Sequence, residues 1–139
     1  MLPRVVLDAN VLISGLIARG PPAALISAWL AGRFTLVVSP TLLAELEQVL
    51  RRPKFRRYAT PQEVADFLAA LGRQAYLVDD PGEVAEGLTP DPRDDYLVAL
   101  ARSARVDFLV SGDPHLTGLT TPRPPVLDPR AFLDLLEAA

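Results

Sequence analysis

Short apolar runs alternate along the chain with segments whose apolar residues recur at helical spacing. The apolar runs lie at residues 5–7, 34–38, 75–78 and 108–110, with a shorter candidate edge strand at 125–127. The first run contains no polar residue, which is typical of a strand covered on both faces in a parallel sheet. Helices are predicted at residues 11–18, 22–31, 40–52, 61–71, 92–105 and 129–137. This alternation predicts an α/β fold of three layers, α/β/α, with a central parallel sheet of four to five strands.

Capping residues mark most of the predicted helix ends. Three helices are expected to begin with a side-chain acceptor at the N-cap and a proline at the first helical position: Ser39-Pro40, Asp91-Pro92 and Asp128-Pro129. Thr60 and Glu63 form a capping box around Pro61. Gly32 and Gly72 are predicted to end the helices that precede them.

Composition indicates one soluble globular domain that spans residues 1–139, with 50% apolar and 22% charged residues. The absence of cysteine excludes disulfides, thiolate metal sites and cysteine nucleophiles. The first apolar run is too short for a signal peptide, and no window has the composition of a membrane span. A cytoplasmic location is therefore expected.

The basic residues are unevenly distributed. The net charge is −3, yet residues 51–58 hold five of the 14 cationic residues and none of the 17 acids. These cations are Arg51, Arg52, Lys54, Arg56 and Arg57. A basic patch beside aromatic residues on an acidic body favours contact with RNA phosphates. The alternative is that these cations only stabilise a helix C-terminus.

Acidic residues follow the predicted strands at the carboxyl edge of the sheet. Asp8 follows the first strand, Glu45 lies in the helix after the second, and Asp113 follows the fourth. Asp94 and Asp95 lie in the first turn of the helix before the fourth strand. Crowded carboxylates repel one another unless a cation lies between them. Oxygen ligands without cysteine or a histidine cluster favour Mg2+ or Mn2+.

Several of these residues have a second, purely structural interpretation. At 100° per residue, Asp94 lies near the edge of the sheet-facing stripe and Asp95 about a quarter turn away, which favours Asp94 as the ligand. Either acid also stabilises a helix N-terminus. Asn10 is a candidate N-cap as well as a candidate site residue. His115 is expected to support the site from outside rather than to act as the base.

Four motifs in this order resemble those of PIN domains over nearly the whole chain. They are Leu-Asp-Ala-Asn-Val-Leu-Ile-Ser, Ser-Pro-Thr-Leu-Leu-Ala-Glu-Leu, Asp-Pro-Arg-Asp-Asp-Tyr-Leu-Val-Ala-Leu-Ala and Asp-Phe-Leu-Val-Ser-Gly-Asp. The chain is similar in particular to bacterial PIN proteins of toxin–antitoxin pairs. The family often continues the last motif as Gly-Asp-x-Asp, whereas this chain has His115 in place of the second acid.

The resemblance implies a ribonuclease that depends on Mg2+ or Mn2+. Its catalytic acids match Asp8, Glu45, Asp94 and Asp113, with Asp95 as a further candidate metal ligand. Its supporting polar positions match Asn10 and Ser111. The resemblance also implies a homodimer and an antitoxin partner whose chain tail enters the pocket.

Other function classes fit the sequence less well. Phosphotransferases of the HAD type need a second Asp where this chain has Asn10, and both they and receiver domains need a late Lys. The only lysine is Lys54. One alternative remains open: a PIN fold that keeps its acids but acts mainly as a nucleic-acid or partner binding module.

Overall fold

The strands form a single parallel sheet with its most apolar strand at the centre. The structure is a computed structural model that describes residues 1–119 and 123–138. Its strands are β1 (Arg4–Leu7), β2 (Thr35–Val38), β3 (Tyr76–Leu77), β4 (Phe108–Val110) and β5 (Val126–Leu127). They are paired in parallel in the order β3-β2-β1-β4-β5. Val5, Val6 and Leu7 are each 0% exposed, because β1 has a strand on either side and helices over both faces.

Helices connect the strands and form the outer layers. They are α1 (Ala9–Ile17), α2 (Pro21–Leu30), α3 (Pro40–Leu50), α4 (Pro61–Gln74), α5 (Pro92–Ser103), α6 (Pro114–Thr117) and α7 (Pro129–Ala138). With the right-handed crossovers that parallel strands almost always have, this strand order places α1 to α4 on one face and α5 on the other. The helix α7 packs on α2. The predicted three-layer α/β/α fold is confirmed, and the sheet has five strands.

The strand order reverses between β1 and β4. The chain leaves β1 toward β2 on one side, and β4 is followed by β5 on the other. In open parallel sheets such a reversal leaves a crevice beyond the carboxyl ends of the two strands. Asp8 lies at this point, and its amide donates a hydrogen bond to the Val110 carbonyl at 2.9 Å.

Most of the predicted caps are present. Ser39 Oγ accepts a hydrogen bond from the Leu42 amide, and Thr60 and Glu63 form the expected capping box. Gly32 follows α2 with a φ of +79°, a left-handed conformation that glycine adopts without a steric penalty.

Two local predictions were wrong. Gly72 does not end α4, which continues to Gln74 because Gly72 keeps helical backbone and good helix formers follow it. The helix α1 begins two residues earlier than predicted, with Asp8 rather than Asn10 as its N-cap. The short helix α6 and a 3-10 helix at Pro53–Phe55 are further elements that the sequence pattern did not predict.

The helices α1 and α2 pack closely behind the crevice. A Cβ atom at Gly15 would lie only 2.6 Å from Ile26 Cγ1 and 3.0 Å from the Pro22 carbonyl oxygen, so this contact requires glycine. No single helix among the described residues is long and apolar enough to cross a membrane. Together, α1 and α2 reach the necessary length and composition, but they are bent by 93° at the break between them.

Candidate functional site

Asp8 is held at the end of β1 by hydrogen bonds from two other parts of the site. Its Oδ1 accepts from the Asn10 amide at 3.3 Å, and its Oδ2 accepts from Ser111 Oγ at 2.8 Å. The residue is only 7% exposed. Burial raises the pKa of the Asp8 carboxyl, and the bond from Ser111 opposes that rise. The carboxylate is therefore both oriented and poorly solvated.

Ser111 joins Asp8 to the segment that follows β4. The Ser111 side chain is fully buried, and its Oγ accepts a hydrogen bond from the Asp113 amide at 3.0 Å. Asp113 is the N-cap of α6, and its Oδ1 accepts from the His115 amide at 2.9 Å. One hydroxyl thus fixes the positions of two acids that lie far apart in the sequence.

Asp94 contributes a buried carboxylate from the first turn of α5. It is 6% exposed, and its Oδ2 has no hydrogen-bond partner among the described residues. Burial raises the pKa of Asp94 to about 7, and the nearby Asp113 carboxylate adds to the rise because it favours the protonated form of Asp94. The same interaction lowers the pKa of Asp113. Asp94 is the acid whose negative charge is least compensated by the protein.

Asp95 does not belong to this group of acids. Its Oδ1 accepts from the Thr89 amide at 2.8 Å and from Thr89 Oγ1 at 3.0 Å. Its Oδ2 accepts from the Gly87 amide at 3.1 Å. The Asp95 carboxylate therefore holds the loop before α5, whereas Asp94 faces the crevice, so these contacts favour Asp94 over Asp95 as the predicted metal ligand.

The acids line a cleft of about 370 Å³ at the carboxyl edge of the sheet. Glu45 of α3 forms part of its wall. Burial raises the pKa of Glu45, Arg93 lowers it, and the charge of Asp8 raises it further. The cleft brings together five of the predicted catalytic, metal-binding and supporting residues, namely Asp8, Asn10, Glu45, Asp94 and Asp113. Ser111 lies beneath it, bonded to Asp8.

The predicted basic segment is divided between two surfaces. Arg52 and Lys54 line the acidic cleft together with Phe55. Arg51 and Arg56 instead line a separate pocket of about 160 Å³, and the Arg51 side chain is paired with Glu47 at 3.1 Å. Arg57 lies over the Tyr58 ring, 5.8 Å from its centroid. Two of the five cations are thus positioned to meet a phosphate at the cleft.

Arg93 is a cleft residue that the sequence analysis did not single out. It lines the cleft beside Asp91, and its guanidinium contacts the Asp91 carboxylate at 3.1 Å. This ion pair lowers the pKa of Asp91. The signal was present in the sequence, since Arg93 directly precedes Asp94 in the third motif.

A hydroxyl network connects the helix that carries Glu45 to the helix that carries Asp94. Tyr96 Oη lies 2.6 Å from Ser39 Oγ at the start of α3 and donates to Asp80 Oδ1 at 2.5 Å. Burial, together with the bond to Asp80, raises the pKa of Tyr96 to about 12, so this hydroxyl stays protonated. The network fixes the spacing of α3 and α5 across the cleft.

The chemistry of these residues fits a divalent cation. The unpaired, buried Asp94 Oδ2 needs a positively charged or donating partner. Ligand atoms of Asp94, Asp113 and His115 all lie within 4.8 Å of one another. Asp8 and Glu45 add carboxylate oxygens to the same cleft. A donor set dominated by carboxylate oxygen suits Mg2+ or Mn2+.

The family model for the PIN domain matches residues 4–115, which include all of these acids. The chain belongs to the PIN domain family. Its fold is also similar to that of solved structures. None of the curated protein sequences matches this PIN domain significantly.

Three solved structures illustrate the likeness of the fold. The protein PAE2754 from Pyrobaculum aerophilum has a TM-score of 0.70 and 17% identity, covering 99% of this chain and 91% of that one. VapBC2 from Rickettsia felis, bound to a DNA fragment from their promoter, has a TM-score of 0.61 and 12% identity, covering 90% and 98%. VapC20 from Mycobacterium tuberculosis, a sarcin-ricin loop cleaving toxin, has a TM-score of 0.54 and 14% identity, covering 80% and 90%. This PIN domain is thus similar in fold to VapC toxins.

Proposed function

We propose that this PIN domain is a metal-dependent endoribonuclease that hydrolyses RNA phosphodiester bonds with Mg2+ or Mn2+. We propose further that it is the toxin of a toxin–antitoxin pair. The observation that carries the nuclease proposal is the meeting of Asp8, Asp94 and Asp113 in one cleft, with a buried Asp94 oxygen that lacks a partner. Membership of the PIN family and the likeness to VapC toxins support the same reaction class.

Each acid has a definable part in the proposed reaction. Asp8, Asp94 and Asp113 would hold the cation, with Glu45 at the wall of the cleft. A bound Mg2+ or Mn2+ supplies charge neutralisation at the scissile phosphate and activation of a water. Ser111 keeps Asp8 oriented toward the cleft through its 2.8 Å hydrogen bond.

The chemical step is hydrolysis by water. The water oxygen forms a new bond to phosphorus while the bond from phosphorus to the leaving ribose oxygen breaks. A cleft carboxylate takes up the proton that the water loses, and solvent protonates the leaving oxygen.

The cations at the cleft would bind the RNA backbone on either side of the broken bond. Arg52 and Lys54 lie on the α3 side, and Arg93 lies on the α5 side. Phe55 offers an aromatic face at the same rim, which suits stacking with an unpaired base. Because these contacts are made with phosphate and with a π face, they favour single-stranded RNA without fixing a base sequence.

Cleavage of total RNA tests the reaction. Purified protein is incubated with total RNA and Mn2+, and the cut ends are mapped. We expect defined cuts with the wild type and a loss of at least about a hundredfold in rate for Asp8→Asn, which keeps the shape of the side chain and removes its charge. Equal rates in the two proteins would refute the proposal. RNA binding without cleavage by the wild type would favour the binding-module alternative.

A pair of double variants tests the RNA contact. Arg52→Ala/Lys54→Ala removes two cations at the cleft, whereas Arg51→Ala/Arg56→Ala removes two at the separate pocket. For single-stranded RNA, the first change should reduce the slope of log affinity against log salt by about 1.4, which corresponds to two lost phosphate contacts. The second, matched in charge, should change the slope much less. The reverse ranking would place the RNA on the other surface.

The proposed partners need their own measurements. The resemblance to toxin–antitoxin PIN proteins supports a homodimer and an antitoxin whose chain tail enters the cleft. Light scattering of the purified protein tests the dimer, and a mass equal to that of one chain would refute it. Co-purification of this protein with the product of a neighbouring gene, together with inhibition of RNA cleavage by that product, tests the antitoxin.

A further inference from the structure

The single histidine of the chain lies beside two acids of the cleft. His115 Nδ1 is 3.3 Å from Asp113 Oδ1, and the His115 side chain is 60% exposed. Ligand atoms of His115, Asp94 and Asp113 fall within 4.8 Å of one another. The imidazole therefore belongs to the same compact group as the two acids, although it comes from α6 and lies nearer the solvent.

The spacing of these atoms matches ligands of one ion. Two donors at about 2.1 Å from a shared ion lie about 3.0 Å apart at right angles and about 4.2 Å apart on opposite sides. The 3.3 Å separation of His115 Nδ1 and Asp113 Oδ1, and the 4.8 Å limit for the whole group, agree with that range after small adjustments.

A second observation points to a ligand at this group. Asp94 is 6% exposed, lines the cleft and has a buried Oδ2 without a hydrogen-bond partner in the described part of the chain. A simple hydrogen bond between His115 and Asp113 would account for those two side chains. It would leave the Asp94 oxygen unsatisfied, whereas a cation between the three residues satisfies all of them.

We propose that His115 is a metal ligand together with Asp94 and Asp113, and that its imidazole makes the site prefer a divalent transition-metal ion such as Mn2+ to Mg2+. This inference rests on the proposed function, because it concerns the same cleft. Mg2+ binds oxygen ligands almost exclusively, whereas imidazole nitrogen favours transition metals. Replacement of the second acid of Gly-Asp-x-Asp by His115 therefore changes the kind of ion that the cleft selects.

Titration calorimetry with Mn2+ and Mg2+ tests the selectivity on untagged protein, so that no tag histidines compete. His115→Ala should weaken Mn2+ binding by about tenfold or more and Mg2+ binding by less than about threefold. His115→Asp, which restores the acid, should strengthen Mg2+ binding and reduce the preference for Mn2+. Thr117→Ala removes an exposed side chain of the same helix whose hydroxyl donates only a long bond, 3.4 Å, to the Asp113 backbone carbonyl. Because no side-chain ligand is lost, this variant should bind both ions as the wild type does.

A spectroscopic signature tests ligation directly. Because the chain has one histidine, a nitrogen coupling to bound Mn2+ in electron spin-echo spectra that disappears in His115→Ala identifies the ligand. If Mn2+ binds to the wild type and His115→Ala equally and the spectra agree, this inference is wrong while the nuclease proposal stands. If the wild type binds neither ion, both are wrong. If His115→Ala weakens the binding of Mn2+ and Mg2+ by the same factor, the proposed preference for Mn2+ is wrong.

Discussion

The crowding of acids makes a specific prediction for Asp94→Asn in protein freed of metal. The pKa of the Asp94 carboxyl is about 7 in the folded protein and 3.8 ordinarily. A raised pKa in the folded state means that the carboxylate form is disfavoured there, so stability is lost as the pH rises from about 4 to about 7. The full penalty is up to about 4 kcal/mol above pH 7, and about 1.5 kcal/mol of it is already present at pH 5.

The variant removes this penalty, since asparagine carries no charge. Urea unfolding in the presence of a chelator measures the free energy of unfolding of both proteins at pH 5 and pH 8. Burial of the amide affects both measurements equally, so the informative quantity is the difference between them. The free energy of unfolding of the variant minus that of the wild type should increase by up to about 3 kcal/mol from pH 5 to pH 8. The lowered pKa of Asp113 leaves this difference unchanged, because Asp113 is ionised in the folded and unfolded protein at both pH values.

Added Mn2+ should offset this difference in stability. The wild type gains about 2.7 kcal/mol when free Mn2+ is a hundred times its dissociation constant and about 4 kcal/mol at a thousand times, and a variant that has lost the site gains almost nothing. The advantage of the variant at pH 8, up to about 4 kcal/mol, should therefore shrink to near zero as free Mn2+ is raised to about a thousand times the dissociation constant. If the difference in stability between the variant and the wild type is the same at both pH values, the predicted penalty at Asp94 is wrong. If Mn2+ stabilises the two proteins equally, Asp94 is not part of the metal site.

Two further substitutions separate residues that support the cleft from residues that form it. Ser111→Ala removes the hydroxyl that donates to Asp8 Oδ2. It should lower the free energy of unfolding by about 1–3 kcal/mol at neutral pH, because a buried carboxylate oxygen loses its donor. This loss of stability should shrink in acid, where Asp8 is protonated, and a loss that is independent of pH would contradict the prediction. Asp95→Asn weakens the hydrogen bonds from the Gly87 and Thr89 amides, so hydrogen exchange of those two amides should become faster. The affinity for Mn2+ should change by less than about threefold, because Asp95 lies outside the cleft. A tenfold loss of Mn2+ affinity in Asp95→Asn would show that this acid belongs to the site after all.

Most of the fold could be predicted from the sequence, because apolar runs and helix-capping residues are clear local signals. Apolar runs marked β1, β2 and β4, and caps such as Ser39 and Thr60 marked helix starts. The failures occurred where two local signals compete. Glycine can end a helix or be tolerated within one, and at Gly72 the helix continues to Gln74 because the following residues favour helix. The helix α6 is a single turn capped by Asp113, too short to show any periodicity.

The acids of the cleft could be predicted because topology brings strand ends together. The burial and hydrogen-bond partners of each acid could not be predicted. Helical angles favoured Asp94 over Asp95, but both are buried, since the loop that holds Thr89 covers Asp95. Such coverage depends on contacts between distant segments. The division of the basic segment also depends on tertiary structure, because a 3-10 helix turns Lys54 toward the cleft and leaves Arg56 at another pocket.

The bond between Asp8 and Ser111 joins residues that are 103 positions apart. Since β4 is made late in synthesis, the nascent chain holds β1 without its neighbour and Asp8 without its hydroxyl donor for most of translation. Long-range strand pairing of this kind delays the completion of the folded state. The cleft is therefore completed only after β4 and Ser111 have been made, although its first acid, Asp8, is among the earliest residues of the domain.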